Sequence, residues 1–150
     1  MMIDINGRNV LIVGGGNVAS RRADTLLRCG AEITAVSPKF SPSFPEVSRR
    51  ITRPFLQEDI TSDYALVFAA TNSRAVNSLI HSLAQSLNIP VNVCDSQAEC
   101  DFFFPSLINH ENVGVSVCSA GISAGLTRRL SDKLRRVWSS WVIAEKFIVL

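Results

Sequence analysis

The sequence predicts an α/β fold, helices covering a parallel sheet, on three observations. Short apolar runs recur at Asn9–Val13 and at residues 33–36, 64–70 and 90–94, and they read as strands buried in a core. Between them lie stretches with helical spacing, where apolar residues return every three or four positions. The order strand, helix, strand then occurs twice, which is the pattern of a parallel sheet with crossover helices.

The elements follow in order. The run at Asn9–Val13 ends in Gly14-Gly15-Gly16, so a buried strand passes into a turn. From 19 to 29, Ala19, Ala23, Leu26 and Leu27 share a helical face, and Gly30 supplies the stop. Residues 33–36 form a second strand closed by Ser37-Pro38, and the Ser- and Pro-rich stretch 40–47 reads as loop. A third strand is expected at 51–55 and a strong one at 64–70, running into Thr71-Asn72. Residues 73–87 are helical, with Val76, Leu79, Ile80, Leu83 and Leu87 on one face, and the strand at 90–94 ends at Asp95. After Asp101 the rhythm changes. The runs 102–108 and 113–117, joined by Asn109-His110-Glu111-Asn112, signal an antiparallel hairpin. A helix over 123–138 follows, with Leu126, Leu130, Leu134 and Val137 on one side.

Composition narrows the function. The 150 residues carry 15 Lys and Arg against 13 Asp and Glu, and adjacent basic residues occur only as four scattered pairs, which argues against a nucleic-acid binder. No stretch reaches the ~18 apolar residues of a membrane span, and Met1-Met2-Ile3-Asp4 lacks the pattern of a signal peptide, so a cytoplasmic protein is expected. In that compartment Cys29, Cys94, Cys100 and Cys118, which contain no CxxC pair, read as free thiols and not as a zinc site. His81 and His110 pair with no other ligand type at metal spacing, and no metal site is expected.

Gly14-Gly15-Gly16-Asn17-Val18-Ala19 matches G-x-G-x-x-A directly between a strand and a helix. Gly14 serves the tight turn, Gly16 lets a pyrophosphate approach the backbone, and Ala19 keeps the helix close to the strand. Asn17 and Val18 open the helix, whose free N–H groups and positive end attract the anion. This is the fingerprint of a Rossmann-like, NAD-binding sheet. Its usual acidic residue after the second strand is missing; the chain reads Val36-Ser37-Pro38-Lys39 there. Ser37 could bond a ribose hydroxyl. Lys39 reads either as a solvated side chain or as a partner for the 2′-phosphate of NADP. Ligands of open parallel sheets lie beyond the carboxyl ends of the strands, which makes Thr71, Asn72 and Asp95 candidates on position alone.

Taken together, Leu11 to Ala19, Ala69-Ala70-Thr71-Asn72, Asn92-Val93-Cys94-Asp95, Phe104-Pro105-Ser106 and Ser119-Ala120-Gly121-Ile122-Ser123 resemble the precorrin-2 dehydrogenase family, the dehydrogenase/ferrochelatase module of siroheme synthases. The resemblance covers roughly residues 2–138 and rests on the order and spacing of these motifs. It implies a Rossmann-like NAD-binding domain over 1–100 followed by a small α+β dimerisation segment over 101–150, in an intertwined homodimer. It also implies NAD-dependent oxidation of precorrin-2 to sirohydrochlorin, with Fe²⁺ insertion in several members. Asp95 takes the place of the family's acid/base residue. The chemistry agrees, because a hydride leaving carbon requires a proton to leave nearby, and a carboxylate at a strand end can accept it. Asp95 also reads as a turn residue, and Asp101 is its rival carboxylate.

The tetrapyrrole substrate is rich in carboxylates, so Ser119 and Ser123, at the start of a helix, and Arg128 beyond them are expected at the substrate. Members of this family usually continue with a small helical domain. The apolar stretch 138–150 does not resemble it, and is expected to pack at the dimer interface or against a partner. The alternatives are an NAD-sensing regulatory module and a tetrapyrrole-binding relative without catalysis. The first would have no need of the Asn-Val-x-Asp arrangement followed by a hairpin.

Overall fold

Strand β1, Asn9–Val13, has no polar side chain after Asn9, so it is stable only where both faces are covered. It lies at the centre of a five-stranded parallel sheet of order β3-β2-β1-β4-β5, with β2 at Glu32–Val36, β3 at Arg49–Ile51, β4 at Leu66–Ala69 and β5 at Val91–Val93. β1 pairs with β2 from Asn9↔Glu32 to Val13↔Val36, and with β4 from Val10↔Leu66 to Val13↔Ala69. Helix α1, Asn17–Arg28, carries the chain from β1 to β2, and α2, Arg74–Ser86, from β4 to β5. Because these right-handed crossovers move in opposite directions from the centre, the two helices cover opposite faces.

This is the α/β Rossmann-like fold that the sequence predicts. The computed structural model describes residues 3–110, 113–120 and 122–148. The chain divides into two compact units, Met1–Phe102 and Phe103–Leu150.

In the first unit, Leu11, Val13, Val67, Ala69, Val91 and Val93 join Ile80 and Ala84 of α2 in one buried cluster. The alternate strand positions Val10, Ile12 and Phe68, with Ala19, Ala23 and Leu26 of α1, are equally closed to water. Burying each of the larger aliphatic side chains contributes about 1.5–3 kcal/mol. At the end of α1, Gly30 takes φ +78, a left-handed turn that favours glycine. Ser73 caps α2 by accepting from the Val76 N–H, and Asn88 at φ 55 takes the left-handed turn after it.

The open edge of β5 is not left bare. The chain returns along it after a short 3₁₀ turn, Gln97–Glu99. The Asp101 N–H donates to Val91 O at 2.9 Å, and its carboxylate accepts from the Val91 N–H at 2.9 Å. The buried amide of Asn92 donates to Phe102 O at 2.8 Å, and the Phe102 ring meets Phe68 edge-on at 5.4 Å.

The second unit holds an antiparallel hairpin, β6 at Ser106–His110 and β7 at Val113–Val117, and the helix α3, Ala124–Ile148, which packs on both strands. The expected loop residues 111 and 112 and the motif residue Gly121 lie outside the described residues, as do 1–2 and 149–150.

Several boundaries differ from expectation. The third strand falls at Arg49–Ile51 and not at 51–55, because Pro54 has no N–H for a ladder. The hairpin begins at Ser106 and not at 102, since Phe102 belongs to the first unit and Pro105 separates it from the strand. The last helix runs to Ile148, ten residues past 138, because nothing between Trp138 and Ile148 breaks a helix. Of its expected apolar face, Leu126, Leu130 and Val137 are 37–44% exposed and Leu134 is half-buried; Trp141, one turn further on, is 54% exposed, whereas Ser131 is buried. Among the described residues no helix is long and apolar enough to cross a membrane.

Candidate functional site

The strand order reverses at β1: β2 and β3 lie to one side, β4 and β5 to the other. A crevice for a ligand opens beyond the carboxyl ends of the strands at such a point. The loops that follow β1, β2, β4 and β5 all emerge at that edge, since the strands are parallel. They bring together Gly14 to Ala19, Ser37, Thr71, Asn72 and Asp95.

The three glycines of the first loop are there for different reasons. Gly14 has φ +128, and a Cβ on it would lie 2.2 Å from Ala70 O, so the loops after β1 and β4 touch. A Cβ on Gly15 would lie 2.2 Å from Lys39 O and 2.8 Å from Ser37 Oγ, which brings the loop after β2 equally close. Gly16 is different: a Cβ there would meet nothing within 4 Å. None of the described residues demands glycine at that position, so the space is open to a ligand. Gly16 is also the N-cap of α1. It offers no side-chain cap, and the first turn holds no acidic residue, so the N–H groups of Asn17, Val18 and Ala19 meet no competing anion. The residues present fit the pyrophosphate of a dinucleotide.

Around this loop, several hydroxyls are committed to the fold. Ser37 is buried, and its Oγ donates to Lys39 O at 2.8 Å, bracing the turn after β2. Ser41 is better exposed. Its N–H donates to Gly15 O at 2.7 Å, and its hydroxyl lies within 3.5 Å of Asn17 Oδ1 and 2.8 Å of Ser43 Oγ. The sequence reading passed over Ser41 and Ser43 because they sit in a stretch legible only as loop. The loop after β4 is fixed by Asn77, a fully buried amide on α2. Its Oδ1 accepts from the Thr71 N–H at 3.1 Å and hydroxyl at 2.7 Å, and its Nδ2 donates to Thr71 O at 3.1 Å. Asn77 was also missed, though a polar residue inside an apolar helical face, between Val76 and Ile80, is a readable signal. Asn72 remains exposed.

The two candidate carboxylates separate cleanly. Asp101 stands at Val91, the first residue of β5, where its oxygens also accept from Gln85 Nε2 at 2.9 and 3.1 Å. It belongs to the edge of the sheet, at the opposite end of β5 from the crevice. Asp95 follows the last residue of β5. Its Oδ1 accepts from Arg74 Nη1 at 2.7 Å, and Oδ2 has no partner among the described residues. Arg74 also donates through Nη2 to Glu99. Beside Asp95, burial pushes the Cys94 thiol up and lowers the pKa of Arg22, which faces that sulfur from α1. Arg22, Arg74 and Glu99 had no motif to announce them.

Ser119, Ser123 and Arg128 belong to the second unit. Ser119 Oγ accepts from the Ser123 N–H at 3.0 Å and from the Thr127 hydroxyl at 3.0 Å, while Ser123 Oγ accepts from the Leu126 N–H at 3.2 Å. Ser123 thus caps α3, and Ser119 braces the turn that leads into it. Arg128 is exposed, with Asp132 at 4.0 Å. All four cysteines are free, and among the described residues no three His, Cys, Asp or Glu side chains gather as a metal site.

Sheet order, glycine loop and uncapped helix define a class: an α/β dinucleotide-binding protein. Comparison with known proteins narrows it. The chain belongs to the family described as "Putative NAD(P)-binding", whose model matches residues 1–106. It is 38% identical over 134 residues to a siroheme synthase of Pseudoalteromonas translucida, covering 87% of this chain and 28% of that protein. It is 41% identical over 138 residues to siroheme synthase 2 of Aeromonas salmonicida, covering 89% and 28% respectively. Among solved structures it is similar to "SirC, precorrin-2 dehydrogenase", with a TM-score of 0.77, 28% identity, and coverage of 99% of this chain and 76% of that one. The resemblance read from the motifs is thereby borne out. The chain spans less than a third of the length of these curated relatives.

Proposed function

We propose that the protein catalyses NAD⁺-dependent dehydrogenation of precorrin-2 to sirohydrochlorin, in siroheme biosynthesis. The observation that carries this reading is Asp95. It is a carboxylate with one oxygen held by Arg74 and the other without a partner among the described residues, at the same sheet edge as a crevice suited to a dinucleotide. The similarity to siroheme synthases and to SirC, a precorrin-2 dehydrogenase, supports the substrate.

NAD⁺, when bound, accepts the hydride. The chain's own residues do the rest. The N–H groups of Asn17, Val18 and Ala19, with the open face of Gly16, hold the pyrophosphate. Ser37, Thr71 and Asn72 line the crevice, with Ser37 and Thr71 contributing backbone where their hydroxyls are already committed. Asp95 Oδ2 accepts the proton that must leave the substrate as the hydride departs, which balances the two-electron oxidation. Insertion of Fe²⁺ into the product would use the same carboxylate to accept pyrrole protons, and the four tetrapyrrole nitrogens would hold the metal as substrate.

The division of labour gives residues 1–100 to the dinucleotide and residues 101–150 to dimerisation and the tetrapyrrole, with Ser119, Ser123 and Arg128 facing its carboxylates. The exposed stripe Leu126, Leu130, Val137 and Trp141 supports a homodimer, since it would be costly to leave in water. The setting we propose is cytoplasmic.

An anaerobic absorbance assay with precorrin-2 and NAD⁺ tests the reading. The wild type should form sirohydrochlorin, and Asp95→Asn should lose about 100-fold or more in rate. A folded wild type that binds NAD⁺ but forms no product would leave the non-catalytic binding module as the reading.

A further inference from the structure

Arg74 is the first residue of α2, where the positive end of a helix gains nothing from a cation. Two carboxylates hold it there. Its Nη1 lies 2.7 Å from Asp95 Oδ1, and its Nη2 donates to Glu99 Oε2. Neither carboxylate is on α2. Asp95 follows β5, and Glu99 ends the 3₁₀ turn Gln97–Glu99. That turn is itself tied down, because the next residue, Cys100, accepts from the Val93 N–H at 3.3 Å and donates to Val93 O at 3.2 Å or Ser96 O at 3.3 Å. The guanidinium is therefore a planar link between three separately anchored elements, with each of two nitrogens committed to a different carboxylate.

We propose that Arg74 is a positioning residue for the dehydrogenation, with Glu99 as its anchor. By fixing Oδ1 of Asp95 it sets the carboxylate's rotation and leaves Oδ2 as the oxygen that takes the proton. This rests on the reading that Asp95 is the base. The other charged or titratable groups around Asp95 are Cys94, its neighbour, and Arg22, which reaches Cys94 from α1. The hydrogen bond that fixes the orientation of Asp95 comes from Arg74.

The test uses the full chain with Arg74→Ala, Arg74→Lys, Glu99→Gln and Asp95→Asn. It follows kcat and KM for precorrin-2, and the affinity for sirohydrochlorin by absorbance titration without dinucleotide. A misplaced base costs up to about 100-fold, so Arg74→Ala should lower kcat by about 10- to 100-fold while sirohydrochlorin affinity stays within about twofold. Arg74→Lys should recover most of the rate, since one ammonium can still reach Asp95. Glu99→Gln should lower kcat by only a few fold. Combining Arg74→Ala with Asp95→Asn should be no slower than Asp95→Asn alone, because both act through one group. An Arg74→Ala variant with wild-type kcat overturns the inference. So does a loss confined to KM and product affinity, which would make Arg74 a contact for substrate carboxylates. If Arg74→Ala does not fold, Arg74→Gln, which keeps a polar side chain without the charge, decides on the same criteria. A wild type that forms no sirohydrochlorin, or an Asp95→Asn that is fully active, overturns the underlying reading instead.

Discussion

Substituting Gly16 by alanine should remove dinucleotide binding and leave the fold standing. Gly16 has φ −81 and ψ −174, which any residue adopts, and a Cβ there meets nothing within 4 Å. Alanine is a poorer N-cap than glycine by about 0.5–1 kcal/mol. It also restricts the unfolded chain, which returns about 0.4–1 kcal/mol. The two nearly cancel, so Tm should move by less than about 4 °C. The methyl group occupies the space where the pyrophosphate must approach the backbone. Losing one or two hydrogen bonds to a charged group at about 1.5–3 kcal/mol each weakens NAD⁺ by about 10- to 10,000-fold. Gly14→Ala provides the contrast. Its φ is +128 and its Cβ would lie 2.2 Å from Ala70 O, so backbone must move, at a cost of about 3 kcal/mol or more. Scanning calorimetry and isothermal titration with NAD⁺ measure both quantities. If Gly16→Ala binds NAD⁺ like the wild type, or unfolds like Gly14→Ala, the assignment of the open space to the cofactor is wrong.

Other expectations follow from the same geometry. Asp101→Ala leaves the Val91 N–H without its carboxylate and should cost about 1–3 kcal/mol in urea unfolding, with kcat unchanged because Asp101 sits at the far end of β5. The bond from Arg53 holds the Asp59 carboxyl below its ordinary value of 3.8. Its contribution to stability is complete above that value and is lost as pH falls through the lower folded value. The stability gap between wild type and Asp59→Asn, followed by denaturant titration at several pH values, should therefore be constant near neutrality and close below 3.8; a gap that persists unchanged into strong acid would show that the Arg53 pair is not its source. Leu130→Glu, in the exposed stripe of α3, should turn a dimer into monomer by sedimentation, and a variant sedimenting as wild type would place the interface elsewhere.

The sheet was legible because its signals are local. Apolar runs with no polar alternation mark strands covered on both faces, and Ser73 and Leu87 bracket α2 within a residue of where the spacing put them. Gly14 and Gly16 were readable as a phosphate loop, but the reason for Gly15 was not, since it depends on where Lys39 passes in space. Tertiary placement also separates Asp95 from Asp101. Spacing leaves both beside β5, and only the register with Val91 shows that Asp101 closes a sheet edge. Arg74 and Glu99 were invisible for the same reason, because their meeting spans residues far apart in sequence. The apolar face of the last helix was read correctly as a face, but spacing cannot say whether the chain itself covers it.

The central claim is tested most directly by anaerobic stoichiometry. Purified protein, precorrin-2 and NAD⁺ are mixed, and NADH and sirohydrochlorin are followed together by absorbance. The account predicts one NADH for each sirohydrochlorin at all times, with both rates collapsing together in Asp95→Asn. Sirohydrochlorin appearing without NADH, or neither product from protein shown to bind NAD⁺, would contradict it.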